Sequence, residues 1–218
     1  CPPCTMTTPA ALAPSRSWWA VAPLSETGTS SDADASAPAA LPGDGLREGI
    51  VDDLRGRIGE ALIDVHIVPN TDLFVRVSTE SWATTAAALK TAGFGWFSFL
   101  SAIDWMPSPY GKGEDDPSAP PAEPDPSAGA IKQGYAGGAS RFQLLARVTY
   151  LKRHVGVTIK ADVPDTLAMP TWIPVYAGAN WHERETHEMF GIGFEGHPDL
   201  RNLYLPGAFE GFPLRKDF

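Results

Sequence analysis

Apolar residues recur along this chain with two different periods before both give out near its end. Leu46, Ile50, Val51, Leu54, Ile58 and Leu62 follow one another at spacings of four, one, three, four and four, the stripe that an amphipathic helix buries along one side. Alternation then takes over. "LIDVHIV" sets Ile63, Val65 and Ile67 on one face, Pro69 and Asn70 turn the chain, and "LFVRVS" does the same with Leu73, Val75 and Val77, which predicts a strand hairpin. Thr79 stands where it can cap a second helix marked by Trp82, Ala86 and Leu89, and Gly93 where such a helix ends. "WFSFLSAIDW" reads as a third strand. "RFQLLARVTY" puts Phe142, Leu144, Ala146, Val148 and Tyr150 inward, and "HVGVTIKADV" does so with Val155, Val157 and Ile159, giving strands four and five.

The order helix, two strands, helix, three strands predicts an α+β domain of two layers, with helices on one face of the sheet. Strand order is not encoded in this alternation. Each fully buried Leu, Ile, Val or Phe contributes about 1.5 to 3 kcal/mol, so the inward sets suffice for an independent core against chain entropy. That core is expected to use none of the last thirty-five residues.

Three regions follow from where the periods stop. Residues 1–45, rich in Ala, Ser, Thr, Pro, Gly and Asp, are expected to be a disordered tail in which Trp18 and Trp19 form the main apolar cluster. Residues 46–179 form the core domain, interrupted at 107–139 by a Pro-, Gly- and acid-rich stretch that reads as a mobile excursion between strands. Residues 180–218 form a short helix and an extended arm.

The formal charge of −9 opposes binding to nucleic acid or to an anionic membrane surface. The longest apolar stretch, around Gly93 to Met106, is broken by Ser98, Ser101 and Asp104 and is too short to span a bilayer, so any membrane association is expected to be indirect. Cys1 and Cys4 are the only cysteines, fewer than the four that usually hold an iron–sulfur cluster, and their CxxC lacks a second pair or a βαβ context. "MTTPAALAP" from Met6 reads as a natural start. "GFGWFS" at 93–98 lacks the third Gly of a dinucleotide fingerprint and precedes a strand. No flavin, nicotinamide or metal site is expected in this chain.

"NWHERETHEMFG" at 180–191 is bracketed as a helix by a capping box, Asn180 with Glu183, and by Gly191. A metal-dependent hydrolase using His182, His187 and Glu185 is one reading. However, the two histidines are five residues apart, roughly 140° around a helix, whereas Glu183/His187 and Arg184/Glu188 are one turn apart. Beyond Gly191, eight Gly and Pro residues among the last twenty-eight rule out a long helix. Phe194, Leu200, Leu203, Tyr204, Leu205, Phe209, Phe212, Leu214 and Phe218 are too many to leave in water. Either the arm folds back on its own sheet, or it lies in a groove of another protein with Arg201, Arg215 and Lys216 seeking acidic partners.

"ERETHEMFGIGFEGHPDLRNLYLPGAFEGFPLRKDF", residues 183–218, closely resembles the signature of the 30 kDa-type subunit family of proton-pumping NADH–quinone oxidoreductase (NDH-1), respiratory complex I. That pattern runs E-R-E-x-x-D-x-F-G-I-x-F-x-G-H-P-D-L-R-R and then F-E-G-H-P-L-R-K-D. The chain departs from it at Glu188, Asn202 and Phe212, where Asp, Arg and His are usual. The element order agrees over 46–218, and the tail and excursion look actinobacterial. With Phe218 as its last residue, the chain is expected to be a form not fused to the large quinone-site subunit.

The resemblance implies a cofactor-free subunit of the hydrophilic arm, peripheral to the cell membrane on its cytoplasmic side. Its neighbours would be the large quinone-site subunit and the subunit that bears the last iron–sulfur cluster. FMN, iron–sulfur clusters and quinone, expected to be menaquinone, belong to the assembled complex, which couples electron transfer from NADH to proton movement. The interface with those partners would comprise Glu183, Arg184, Glu185, Phe190, His197, Pro198, Asp199, Leu200, Arg201, Leu203, Leu205, Phe209, Glu210, Leu214, Arg215, Lys216 and Asp217. The alternatives are a homologous subunit of a membrane-bound hydrogenase or deazaflavin-fed dehydrogenase, and a free-standing interaction module.

Overall fold

The computed structural model describes residues 44–107 and 131–218. The sequence expectations for Cys1, Cys4, Trp18, Trp19 and most of the excursion lie outside the described residues. The first helix, α1, is Gly45–Ile58. Asp44 caps it, accepting from the backbone N–H of Arg47 at 3.2 Å and from its guanidinium at 2.5 Å. The same carboxylate accepts from the N–H of Asn70 at 2.8 Å, which stands in the left-handed region (φ 59°) at the turn of the hairpin. One cap thus ties helix to hairpin. Ile50, Val51 and Leu54 carry the buried stripe, while Leu46 faces outward and Leu62 begins a strand.

Strands β1 (Leu62–Val68) and β2 (Asp72–Val77) pair antiparallel, with a bulge between Leu62 and Asp64. The bulge corrects one expectation: the extra residue breaks the alternation, and Ile63 turns out to solvent at 49 % exposure. A 3-10 turn at Thr79–Ser81 leads into α2 (Trp82–Thr91). Thr79 does not cap that helix; its hydroxyl donates to the carbonyl of Asp162 at 2.7 Å. Gly93 terminates the helix at φ +101°, where a Cβ would stand 2.8 Å from the Tyr150 ring, so both conformation and space require glycine there.

Strands β3 (Trp96–Asp104), β4 (Phe142–Tyr150) and β5 (Val155–Asp162) complete a sheet of order β1-β2-β5-β4-β3. Only β2 and β5 pair in parallel, and all the chain between them forms the long crossover that parallel neighbours need. Leu73, Val75, Val77, Leu144, Ala146, Val148, Val157, Ile159 and Ala161 join α1 and α2 in one buried cluster. The opposite face is partly roofed by residues 131–139, the end of the stretch read as an excursion. There Ala136 is buried, and Gly138 passes so close that a Cβ would lie 2.2 Å from the Gln143 amide.

Past β5 the chain makes a short strand β6 (Ala168–Pro170), then α3 (Ala179–Phe190) and β7 (Gly193–Glu195), with β6 and β7 pairing in parallel. Trp172, Tyr176, Phe190, Ile192 and Phe194 enter the main cluster. This corrects the expectation that the core uses none of the last thirty-five residues: Ile192 is fully buried, Phe194 is 4 % exposed and Phe190 5 %. The sheet alone leaves its β3 edge open, and α3 lies along that edge.

Candidate functional site

The site expected to meet partners is α3 and the arm after it. Helix α3 begins at Ala179 with no side-chain cap at Gly178, so the capping box of Asn180 and Glu183 is not formed. Glu183 is instead fully buried and points back at the chain before the helix. The Thr171 hydroxyl bonds its Oε2 at 2.5 Å and the N–H of Trp172 donates to Oε1 at 2.6 Å. His197 lies alongside, with Nε2 4.0 Å from that carboxyl, too far to bond it. The imidazole accepts from the N–H of Asp199 at Nδ1 (3.0 Å), which leaves Nε2 to donate to the carbonyl of Asn180 at 3.2 Å.

Burial pushes the Glu183 carboxyl up to about 7, against the opposing pull of Thr171 and the Trp172 N–H. A raised folded pKa means that the folded chain binds more protons than the unfolded one between about pH 4.5 and 7, so this group's contribution weakens as pH rises through that window. Glu183→Gln can keep the acceptor for Trp172 and a donor for Thr171 without a charge. Its expected effect is little change at pH 5 and a gain of about 2–3 kcal/mol at pH 8, read by denaturant unfolding at both pH values. Equal stability of the two proteins at pH 8 would contradict the assignment.

Arg184 and Glu188, one turn apart, hold the arm by its backbone. Arg184 donates to the carbonyls of Arg201 at 3.0 Å and Asn202 at 3.1 Å. Glu188 accepts from the next three amides, Leu203 at 3.0 Å, Tyr204 at 3.0 Å and Leu205. Burial raises the Glu188 carboxyl, but the three amides and Arg184 outweigh it and hold it below the usual range. The two histidines serve separate ends: His187 Nδ1 lies 2.9 Å from the carbonyl of Ile192, and the His182 ring meets Phe97 edge-on at 5.5 Å. Among the described residues, no three of His, Cys, Asp and Glu converge as a metal site.

The arm's end is fastened as well. Arg215 donates to the carbonyl of Phe190 at 2.7 Å, one of the carbonyls that the last turn of a helix leaves free, and it stacks over Phe212 at 4.4 Å. Gly191 allows this approach: it is left-handed (φ +73°) and a Cβ there would meet Arg215 at 2.5 Å and Phe212 at 2.7 Å. The N–H of Leu214 donates to Met189 at 3.2 Å. Asp104, whose side chain is fully buried at the end of β3, takes two bonds from Arg141 (2.6 and 2.9 Å) and the N–H of Lys216 at 2.9 Å. Arg141 also grips Asp217 at 2.7 and 3.0 Å.

The residues named from the sequence therefore divide. Glu183 and Phe190 lie inside the domain, and Arg184, Arg215 and Asp217 bond to their own chain. Glu185, His197, Leu200, Leu203 and Leu205 are half-buried, with Leu200 packed against the core. Pro198, Asp199, Arg201, Phe209, Glu210, Leu214 and Lys216 are exposed, and Arg201 pairs with Asp199 at 3.0 Å. Among the arm's apolar groups Tyr204 is 62 % exposed, Phe218 57 % and Leu214 51 %. Asp104, Arg141 and Thr171 were not named as site residues in the sequence. Asp104 did carry a signal, since it shares the inward phase of Leu100 and Ala102 on β3.

A family model described as the respiratory-chain NADH dehydrogenase 30 kDa subunit matches residues 75–218. A subunit of the NADH-quinone oxidoreductase of Methylorubrum extorquens is 45% identical over 80 residues, 37% of this chain and 36% of that protein. The mitochondrial NADH dehydrogenase [ubiquinone] iron-sulfur protein 3 of Candida albicans is 40% identical over 84 residues, 38% of this chain and 30% of that one. The match thus spans about a third of these relatives' length. A solved structure of the membrane-bound sulfane sulfur reductase, an archaeal respiratory membrane complex, contains a chain of the same fold. It gives a TM-score of 0.58 at 19% identity, covering 78% of this chain and 84% of that one. From β2 to its last residue this chain follows the 30 kDa pattern, and it belongs to the respiratory-chain NADH dehydrogenase 30 kDa subunit family.

Proposed function

We propose that the chain is a cofactor-free structural subunit of the hydrophilic arm of NADH–quinone oxidoreductase, and that α3 and the C-terminal arm are its docking surface. One observation carries this reading. The arm is fastened to its own domain through backbone groups and charges, while Tyr204, Phe209, Leu214 and Phe218 face outward. Such an inside-out segment is held in shape before a partner arrives, so binding costs little ordering entropy. The outward side chains then act as anchors and the exposed Asp199, Arg201, Glu210 and Lys216 set register.

The occupants of that surface are the large quinone-site subunit and the subunit with the last iron–sulfur cluster. FMN, the clusters and the quinone, menaquinone in this reading, stay with those and other subunits, and the membrane is met only through them, on the cytoplasmic side. In support, no helix among the described residues is long and apolar enough to cross a membrane. The second reading is the equivalent subunit of a membrane-bound hydrogenase or deazaflavin-fed dehydrogenase, and the likeness in fold to a chain of another respiratory membrane complex is what favours it. Co-purification of flavin-binding, NADH-oxidising subunits separates the two readings.

Replacing Leu214 and Phe218 together by Asp tests the surface. Both are more than half exposed, so the lone chain is expected to melt as before, while recovery of other subunits on a tagged chain falls about tenfold or more. Normal recovery with the double variant would show that the arm is not the binding element.

A further inference from the structure

The face of the sheet away from α1 and α2 holds a pocket that the arm does not use. Lys160 on β5 projects onto that face between Leu145 on β4 and Arg76 on β2. It is 2 % exposed. Its ammonium donates to the carbonyls of Tyr135 at 2.7 Å and Gly137 at 3.2 Å and stands 5.3 Å from the centre of the Trp105 ring. A lysine ammonium has three N–H bonds, and the third has no hydrogen-bond partner among the described residues.

The acids whose charge Lys160 feels are engaged elsewhere. Asp162 pairs with Arg76 at 3.3 Å and accepts from the Gln143 amide at 2.7 Å, and Asp64 accepts from the N–H of Val65 at 2.8 Å. Burial lowers the pKa of Lys160, and Arg76 adds to this against Asp162 and Asp64. An ammonium in so apolar a place gains from an added anion.

The space beside it measures about 200 Å³, with Phe74, Ile103, Trp105, Tyr135 and Leu145 as walls. Tyr135 is braced from outside, stacked on His66 at 4.2 Å and tilted against Phe74 at 5.1 Å. Apolar walls with one convergent charged group are what small-molecule sites share, but this volume lies below the roughly 300–1,000 Å³ of drug-sized ones. It suits a single ring. Aromatic walls favour an aromatic ring through offset and edge contacts.

We propose that this pocket binds a small aromatic carboxylate, its ring between Trp105 and Leu145 and its carboxylate on the third N–H of Lys160. The test is ligand-observed saturation-transfer NMR on the full chain with benzoate, toluene and benzylamine. Benzoate is expected to bind saturably, toluene about tenfold or more weakly, and benzylamine not at all. Lys160→Met is expected to erase the advantage of benzoate over toluene. Because that change also loosens residues 131–139, Leu145→Trp serves as a second variant. It fills the pocket, keeps Lys160, and abolishes binding of both ligands at an unchanged melting temperature. A chain with residues 108–130 replaced by a short Gly/Ser linker is expected to bind benzoate as the full chain does. The proposal is overturned by absence of benzoate binding, by equal binding of toluene, by wild-type affinity in Lys160→Met, or by tighter binding in the linker variant, which would mean that the chain itself fills the pocket.

Discussion

Asp104→Ala is expected to destabilise the chain by about 3–5 kcal/mol, the cost of removing one partner of a buried, hydrogen-bonded ion pair. The carboxylate is fully buried and collects Arg141, the N–H of Lys216 and the N–H of Met106. Its loss leaves a half-buried guanidinium facing an empty space and frees the arm's last residues. Thermal melting is expected to fall by about 10 °C, and limited proteolysis beyond Gly211 to become faster than in wild type. Burial raises the Asp104 carboxyl, but Arg141 and the two N–H groups outweigh this and hold it below the usual carboxylate range. A folded pKa below the unfolded one means that its contribution is present above about pH 4 and lost as pH falls through the lower value. Wild type should therefore release the arm in acid, and the variant should show no such step. A variant that melts like wild type would remove Asp104 from the fastening.

Trp172→Ala is expected to cost a comparable amount, about 3–5 kcal/mol, and to act on the whole domain rather than on the arm. Trp172 is fully buried, packs on Trp82 at 4.6 Å, and donates from its indole to the carbonyl of Trp82 at 3.1 Å. It joins the β6–α3 connection to α2, so its removal leaves a cavity between two layers and takes away the indole hydrogen bond that ties them. Denaturant unfolding is the measurement. The midpoint is expected to drop with little change in slope, and a loss under about 1 kcal/mol would mean that this connection is not part of the cooperative core.

The five strands of the main sheet and its two covering helices were legible because a long run of each obeys one period, and burial of one face enforces that period. Ile63 was not, because a bulge inserts one residue and reverses the phase without any mark in composition. Residues 163–178 were not legible either. Leu167, Met169, Trp172 and Tyr176 follow no period there, and their burial is set by contacts distant in sequence, with α2, with Phe94 after it and with Phe97 on β3.

The signature helix showed the same division. The one-turn spacing of Arg184 and Glu188 was visible, and it is what lets the two side chains hold neighbouring carbonyls and amides of one strand of backbone. Those partners were hidden, since main-chain groups are identical at every residue and a residue pattern cannot point to them. Nine large apolar residues near the end left two readings open, an arm folded back on its own sheet or one held in a groove of another protein. The structure shows instead a segment tied to its own domain by polar contacts, with part of that apolar surface still turned outward.

Hydrogen–deuterium exchange on the lone chain at pH 7 tests that arrangement most directly. The amides of Leu203, Tyr204, Leu205, Leu214 and Lys216 are bonded to Glu188, Met189 and Asp104, so they are expected to exchange about tenfold or more slowly than in an unstructured peptide. Exchange of all five at the unstructured rate, with β4 and β5 still protected, would mean that the arm has no shape of its own until a partner supplies it.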